Sequence, residues 1–117
     1  MSHPIIHAKS SAKKFGGKWE DYIHLHNYLD ETKAWYDHSF HRMWRHHSEG
    51  IFKMEQRFGS EFKNSDGKTV YTRYVGEDHC REDCDGYIPS AKEWFMIVEN
   101  KQRPIWATKT QKLEFED

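Results

Sequence analysis

Two runs of bulky side chains recur at helical spacing, and the second carries a histidine at its centre. Over residues 18–37, Tyr22, Leu25, Leu29 and Tyr36 share one stripe, with His26 and Lys33 at its edge and Asp30 a little further round. His24 and His38 fall on the opposite, solvated side. Over residues 40–58, Phe40, Trp44, His47, Ile51, Met54 and Phe58 form a second stripe, closed by Gly59. One helix through both runs would be about 60 Å long, too long for so small a domain. A break is therefore expected near Asp37–Ser39, where Asp37 or Ser39 can cap the second helix. No Gly or Pro marks it.

The core these helices bury must be aromatic. Leu, Ile, Val and Phe together make only 20 of the 117 residues, whereas aromatic residues make 15%. So few aliphatic side chains would suit a disordered chain if the net charge were high, but it is −1. Each aromatic ring removes roughly 150–250 Å² from water, enough to build a small core that a bound metal would help stabilise. No apolar run is long enough for a transmembrane helix, and Met1–Gly17 lacks the apolar stretch of a signal peptide. The balanced charge argues against a dedicated nucleic-acid binder. Two cysteines, Cys80 and Cys84, make no disulfide framework, and the expected setting is the reducing cytoplasm.

Elsewhere the local signals are shorter. Residues 1–17 read as an irregular segment, with Ser10-Ser11 and Gly16-Gly17 as loop signals. Asn64-Ser65-Asp66-Gly67 is the turn of a β-hairpin over residues 61–75, in which Val70, Thr72 and Tyr74 share one face. Residues 77–84 read as a short helix or a loop. Ser90 and Glu93 have capping-box spacing at the start of a helix that runs to about Asn100, burying Trp94, Ile97 and Val98. Residues 101–117 read as a mobile tail with one apolar cluster, Pro104-Ile105-Trp106. The expected fold is α+β: a mainly helical single domain over residues 1–117, with a helical hairpin, a C-terminal helix and one β-hairpin.

The compositional outlier is histidine, with nine scattered through the chain. His26 and Asp30 stand at i, i+4, one turn apart on a helix face, and His79 and Asp83 repeat that spacing. If the first two helices form a hairpin turning near residue 38, Asp30 and His47 lie at about 12–14 Å from the turn and His26 at about 18 Å. His26, Asp30, His47 and His79 are therefore the expected metal ligands. Glu49 or Asp83 would be the general base or an orienter of a ligand. Imidazoles with carboxylates suit Zn, Mn, Fe or Ni better than Mg or Ca, and such an ion with an open position can activate water. Histidines and aspartates on packed helices recur in metal-dependent phosphohydrolases, an architectural analogy. Beside this stands the plainer reading, in which His47 is a core histidine that hydrogen-bonds and binds nothing. His46 would take its place if the helical phase were shifted, and His7 could fold back over the site. His41 reads as a helix-surface residue.

Other chemistry is thinner. Cys80 and Cys84 with His79 have spacing for structural zinc, but histidines would have to complete the set. Cys84 as a nucleophile lacks an assigned base. Lys13, Lys14 and Lys18 around Gly16-Gly17 could touch phosphate, yet the pattern is far from a P-loop and reads better as a basic loop.

Several segments are familiar together. They are His7-Ala8, Ser10 to Gly17, Glu20-Asp21-Tyr22 leading to His26 and Asp30, His41-Arg42, and His46 to Phe52. Asn64 to Gly67, Gly76 to His79, Arg81 to Cys84 and Ile88-Pro89-Ser90 follow. Their order resembles a family of small uncharacterised bacterial and bacteriophage proteins, a domain of unknown function. The resemblance spans roughly residues 3 to 95 and its matching histidines are His7, His26, His41, His46, His47 and His79. It implies a bacterial or phage cytoplasmic origin and no particular reaction. The family pattern has an aliphatic residue where this chain has Cys80, which weakens the two-cysteine zinc site.

Three functions are weighed. One is a small cytoplasmic protein that binds a divalent transition metal, extending to a metal-dependent hydrolase. Another is a non-enzymatic binding protein that engages a host protein or small molecule through Trp35, Phe52 or Trp106, with the histidines structural. The third is a purely structural or assembly role, such as in a homo-oligomer, with the histidines satisfying a polar core. On the metal reading, His47→Ala lowers bound metal and melting temperature together.

Overall fold

A computed structural model describes residues 3–34, 39–100 and 104–108. Its first element corrects the expected irregular N-terminus. Helix α1 spans Pro4–Phe15. Pro4 opens it, His3 Nδ1 accepts from the Ile5 N–H at 3.3 Å, and Gly16 ends it at φ 91°. The helix was hidden because its buried face is His7, Ala8 and Ser11, small and polar, and leaves no apolar stripe. Ser10-Ser11 lies inside the helix and is no loop.

A 3-10 turn, Trp19–Asp21, leads into helix α2, Ile23–Asp30, which tightens into a second 3-10 turn, Glu31–Ala34. Leu25 and Leu29 of α2 are buried as their spacing requires. They join Ala8, Tyr22, Met54, Val70 and Val75 in the main apolar core. The expected cap at Asp37, and Trp35, Tyr36 and His38, lie outside the described residues.

The second stripe is not one helix. Ser39–Trp44 forms a 3-10 turn, and helix α3 runs over Ser48–Phe58 from an N-cap at His47. The chain reverses so tightly there that a Cβ on Gly50 would overlap the Arg45 carbonyl. Ile51 and Met54 of the stripe are buried. Trp44 is half-exposed because it precedes the change in helical phase.

Strands β1, Glu61–Lys63, and β2, Thr69–Tyr71, pair antiparallel with Phe62 opposite Val70. Asn64 Oδ1 accepts from the N–H groups of Asp66 and Lys68, both at 3.0 Å, and Gly67 turns the chain at φ 78°. The second strand is shorter than expected. Helix α4, Thr72–Asp83, begins where the alternating pattern still continued. Val75, Gly76, His79, Cys80 and Asp83 are buried at helical spacing, and the contact of α3 with α4 outweighs the strand preference of Thr72 and Tyr74.

Helix α5, Ala91–Asn100, has the expected capping box: Glu93 N–H donates to Ser90 Oγ at 3.1 Å and Ser90 N–H to Glu93 Oε1 at 3.0 Å. Within the expected tail, the described residues 104–108 include a helix. Helix α6, Ile105–Thr108, buries Ala107 in a second small core with Cys84, Trp94 and Ile97. The fold is mainly helical α+β with one hairpin. Among the described residues no helix is long and apolar enough to cross a membrane.

A Cβ on Gly76 would come within 2.8 Å of the Met54 terminal methyl and 3.1 Å of Ile51, both on α3. Gly76→Ala sets about 1 kcal/mol of helix propensity against displacement of the Met54 methyl and Ile51, so its net cost should be small. Gly50→Ala meets backbone instead and should cost more. Urea midpoints of the two variants check the order, and a milder Gly50→Ala would disprove it.

Candidate metal centre

Five buried side chains from four parts of the fold point at one another between the two cores. His7 comes from α1, Asp30 from the end of α2, His46 from the turn before α3, and His79 and Asp83 from adjacent turns of α4. None is more than 4% exposed. A carboxylate that is this deeply buried must be paired.

Four atoms form the centre. His46 Nε2 lies 3.0 Å from His79 Nε2, 3.1 Å from Asp30 Oδ1 and 3.0 Å from Asp83 Oδ2. His79 Nε2 lies 3.1 Å from Asp30 Oδ1 and 3.2 Å from Asp83 Oδ2. A fifth atom, His7 Nε2, faces Asp83 Oδ1 at 3.2 Å. His7, Asp30, His79 and Asp83 each offer one ligand atom within 4.8 Å of the others, a group that could hold a metal ion. His46 shares three of those partners.

The hydrogen-bond inventory around these atoms does not close. His7 Nε2, Asp30 Oδ2, Asp83 Oδ1 and His46 Nδ1 are buried without a hydrogen bond. The two ring nitrogens of His46 and His79 that face each other cannot both donate at 3.0 Å without opposing their protons. One ring can donate to the other, or each can turn its proton to Asp30 or Asp83; only if both present lone pairs do the two carboxylates face no donor. A cation among these atoms is a further way to satisfy the two Nε2 atoms and the carboxylate oxygens, and it leaves His46 Nδ1 without an acceptor. Ligands bound at about 2.0–2.1 Å in a tetrahedron are themselves about 3.3–3.5 Å apart, a few tenths of an ångström beyond the separations here.

The electrostatics carry the same sign. Burial works to raise the Asp30 and Asp83 carboxyls, but the surrounding imidazoles outweigh it and hold both well below the usual carboxylate range. Burial works to lower His46 and His79, and Asp30 and Asp83 reverse it, leaving both raised. Two stable carboxylates therefore attract positive charge into a dry site, whether protons or a metal ion. His26 differs: burial, then His79 and His7, push it well below its ordinary value, so it is neutral.

The outer contacts are ordered. His26 Nδ1 meets His79 Nδ1 at 2.8 Å and His26 Nε2 meets Ser11 Oγ at 2.8 Å. His7 Nδ1 donates to Glu82 Oε1 at 2.6 Å, and Glu82 Oε2 accepts from Ser10 Oγ at 2.7 Å. His41 is buried, not on the surface as its helix position suggested, and contacts Thr32 Oγ1 at 3.0 Å.

Of the expected ligands, the structure brings Asp30 and His79 to the centre and sets His26 just behind His79. It does not bring His47 there. His47 Nδ1 accepts from the Gly50 N–H at 2.9 Å and its Nε2 donates to the Met43 carbonyl at 3.0 Å, so both nitrogens serve the backbone at the start of α3. The reason is phase: the run expected as one helix from residue 40 is a 3-10 turn, Ser39–Trp44, followed by an α-helix that begins only at Ser48, and His46 in the junction turns inward. Asp83 stands among the ligand candidates. Glu49 is exposed and accepts from Ala91 N–H and Ser48 Oγ, both at 2.9 Å, tying α3 to α5. His7 was weighed as a residue folding back over the site, and it does so from a helix. Cys80 and Cys84 are free, buried thiols outside the group that could hold a metal, and burial raises both, Cys84 to about 12. Lys14 of the expected basic loop pairs with Asp78 at 2.8 Å.

The chain belongs to a family described as a domain of unknown function (DUF6915), whose model matches residues 2–106. No curated protein and no solved structure matches it.

Two outcomes follow from these placements. His47→Ala should lose about 1 kcal/mol, the worth of an N-cap, and match the wild type in any metal it binds, reversing half of the sequence expectation. Calorimetry and elemental analysis on one sample check it, and metal loss would return His47 to the site. Native protein should react with a thiol reagent only on unfolding, because both thiols are buried and protonated; prompt reaction of either would show the burial to be wrong.

Proposed function

We propose that this protein binds one divalent transition metal ion between α1, α2, the turn before α3 and α4, with ligands drawn from His7, Asp30, His79 and Asp83 and from His46 beside them. The observation that carries this reading is the convergence of imidazole nitrogens and carboxylate oxygens at 3.0–3.2 Å in a buried set where Asp30 Oδ2 and His46 Nδ1 have no hydrogen bond. A set of imidazoles and carboxylates suits Zn, Mn, Fe or Ni. The protein surrounds this point with side chains at most 4% exposed, which resembles a closed structural site more than an open catalytic one. Binding that joins four elements is therefore favoured over hydrolysis. Hydrolysis would require a coordination position open to water, and a groove lined by Ser10, Lys14, Asp78, Arg81 and Glu82 borders Glu82 and none of the five residues of the centre.

A second reading rests on exposed apolar side chains: Trp44, Phe52, Phe95 and Met96 are 51%, 55%, 67% and 46% exposed. Gathered on one side of the molecule, they would suit a protein-binding face. In the bacterial or phage cytoplasm that the resemblance implies, the partner would be a host protein or a second copy. Light scattering separates a self-associating face from a monomer.

Metal content of untagged protein, purified without chelator and without added metal, tests the first reading. Near-stoichiometric Zn, Mn, Fe or Ni is expected, with a lower melting temperature after chelation that recovers on reloading. His79→Ala should abolish the metal. No metal in the protein as purified, and none after a reload, would overturn the proposal.

A further inference from the structure

Ser10 and Ser11 are neighbours on α1, yet their hydroxyls serve two different imidazoles of the centre. Ser10 Oγ donates to Glu82 Oε2 at 2.7 Å, and the other oxygen of Glu82 accepts from His7 Nδ1 at 2.6 Å. Ser11 Oγ meets His26 Nε2 at 2.8 Å, and His26 Nδ1 meets His79 Nδ1 at 2.8 Å. In both chains the far nitrogen is the one that faces the cluster: His7 Nε2 toward Asp83 Oδ1, His79 Nε2 toward Asp30 and Asp83.

An imidazole binds a metal through a nitrogen that carries no proton, so the proton of the neutral ring must sit on the other nitrogen. The two chains provide a place for it. With a metal at Nε2, His7 keeps its proton on Nδ1 and donates to the Glu82 carboxylate. His79 likewise donates from Nδ1 to His26 Nδ1, and His26 then carries its own proton on Nε2 and donates to the Ser11 oxygen. Every bond in both chains has one donor and one acceptor in this arrangement. With the opposite tautomer, His79 would present an unprotonated Nδ1 to His26 and a proton to the metal.

We infer that α1 is the orienting helix of the metal centre: Ser11 with His26, and Ser10 with Glu82, are positioning residues that fix the tautomers and ring planes of His79 and His7 for metal binding. This rests on the metal reading above. Partners of this kind commonly change metal affinity 10–100-fold when removed.

The test measures Zn(II) affinity by competition with a chromophoric chelator, and the visible spectrum of the Co(II)-loaded protein. His26→Ala should bind Zn(II) 10–100-fold more weakly than wild type and alter the Co(II) bands, whereas His26→Asn, whose amide oxygen can stand where Nδ1 stood, should recover part of the affinity. Ser11→Ala should weaken binding in the wild-type background but add nothing to His26→Ala, because it acts through that ring. Ser10→Ala should weaken binding equally in both backgrounds. If His26→Ala does not fold, Ser10→Ala and Ser11→Ala, each removing one hydroxyl, still decide the matter. Wild-type protein that binds Zn(II) while these variants match its affinity and spectrum would overturn the orienting role and leave the metal reading intact. Wild-type protein that binds neither ion would overturn both.

Discussion

Two carboxylates, Asp30 and Asp83, sit 4% and 0% exposed in a small protein, and the rest of the fold is arranged around their compensation. A lone buried carboxylate would be neutralised or expelled. Here each has imidazoles from other elements beside it, and Arg42 Nη1 donates to the Asp83 carbonyl at 2.7 Å, holding the end of α4. Removing one partner of such a buried set costs about 3–5 kcal/mol, because the remaining charge is left uncompensated. The polar centre is thus a structural joint with or without a bound ion.

The aliphatic supply explains why the joint matters. One apolar core joins α1, α2, α3 and the hairpin, and a second joins the end of α4 to α5 and α6. The His/Asp centre lies along α4 between them: Val75 belongs to the first core, His79 and Asp83 to the centre, and Cys84 to the second core. Trp94 of the second core donates its indole N–H to the His46 carbonyl at 2.8 Å, so the two packings share a backbone segment. A metal ion there would contribute folding energy that aliphatic burial cannot supply in a chain of this composition.

His46 and His47 show how a single residue of phase separates structure from chemistry. Both are imidazoles next to one another, and the stripe assigned the inner position to the second. A helix running without a break from Phe40 would have put His47 inside. The break at Arg45–His47 instead makes His47 a cap, in the role usually taken by Ser, Thr, Asp or Asn, and rotates His46 into the centre. Histidine at an N-cap carries little signal in sequence, whereas the close Gly50–Arg45 approach that forces the break belongs to packing.

The sequence by itself determined what spans one turn. The i, i+4 pairing of His79 with Asp83, the capping box of Ser90 and Glu93, the Asn64–Gly67 turn and the buried face of Leu25 and Leu29 follow from spacing and side-chain type. Tertiary structure alone decided the rest. Helix α1 has no apolar stripe to announce it, because its inner face spends its positions on His7, Ser11 and Ala8 to reach side chains of α4 and α2. His7 and Glu82 are 75 residues apart, and no local rule links them. Which of nine histidines meet, and which nitrogen each turns inward, depends on how four separate elements pack, since an imidazole's role is set by its neighbours and not by its spacing.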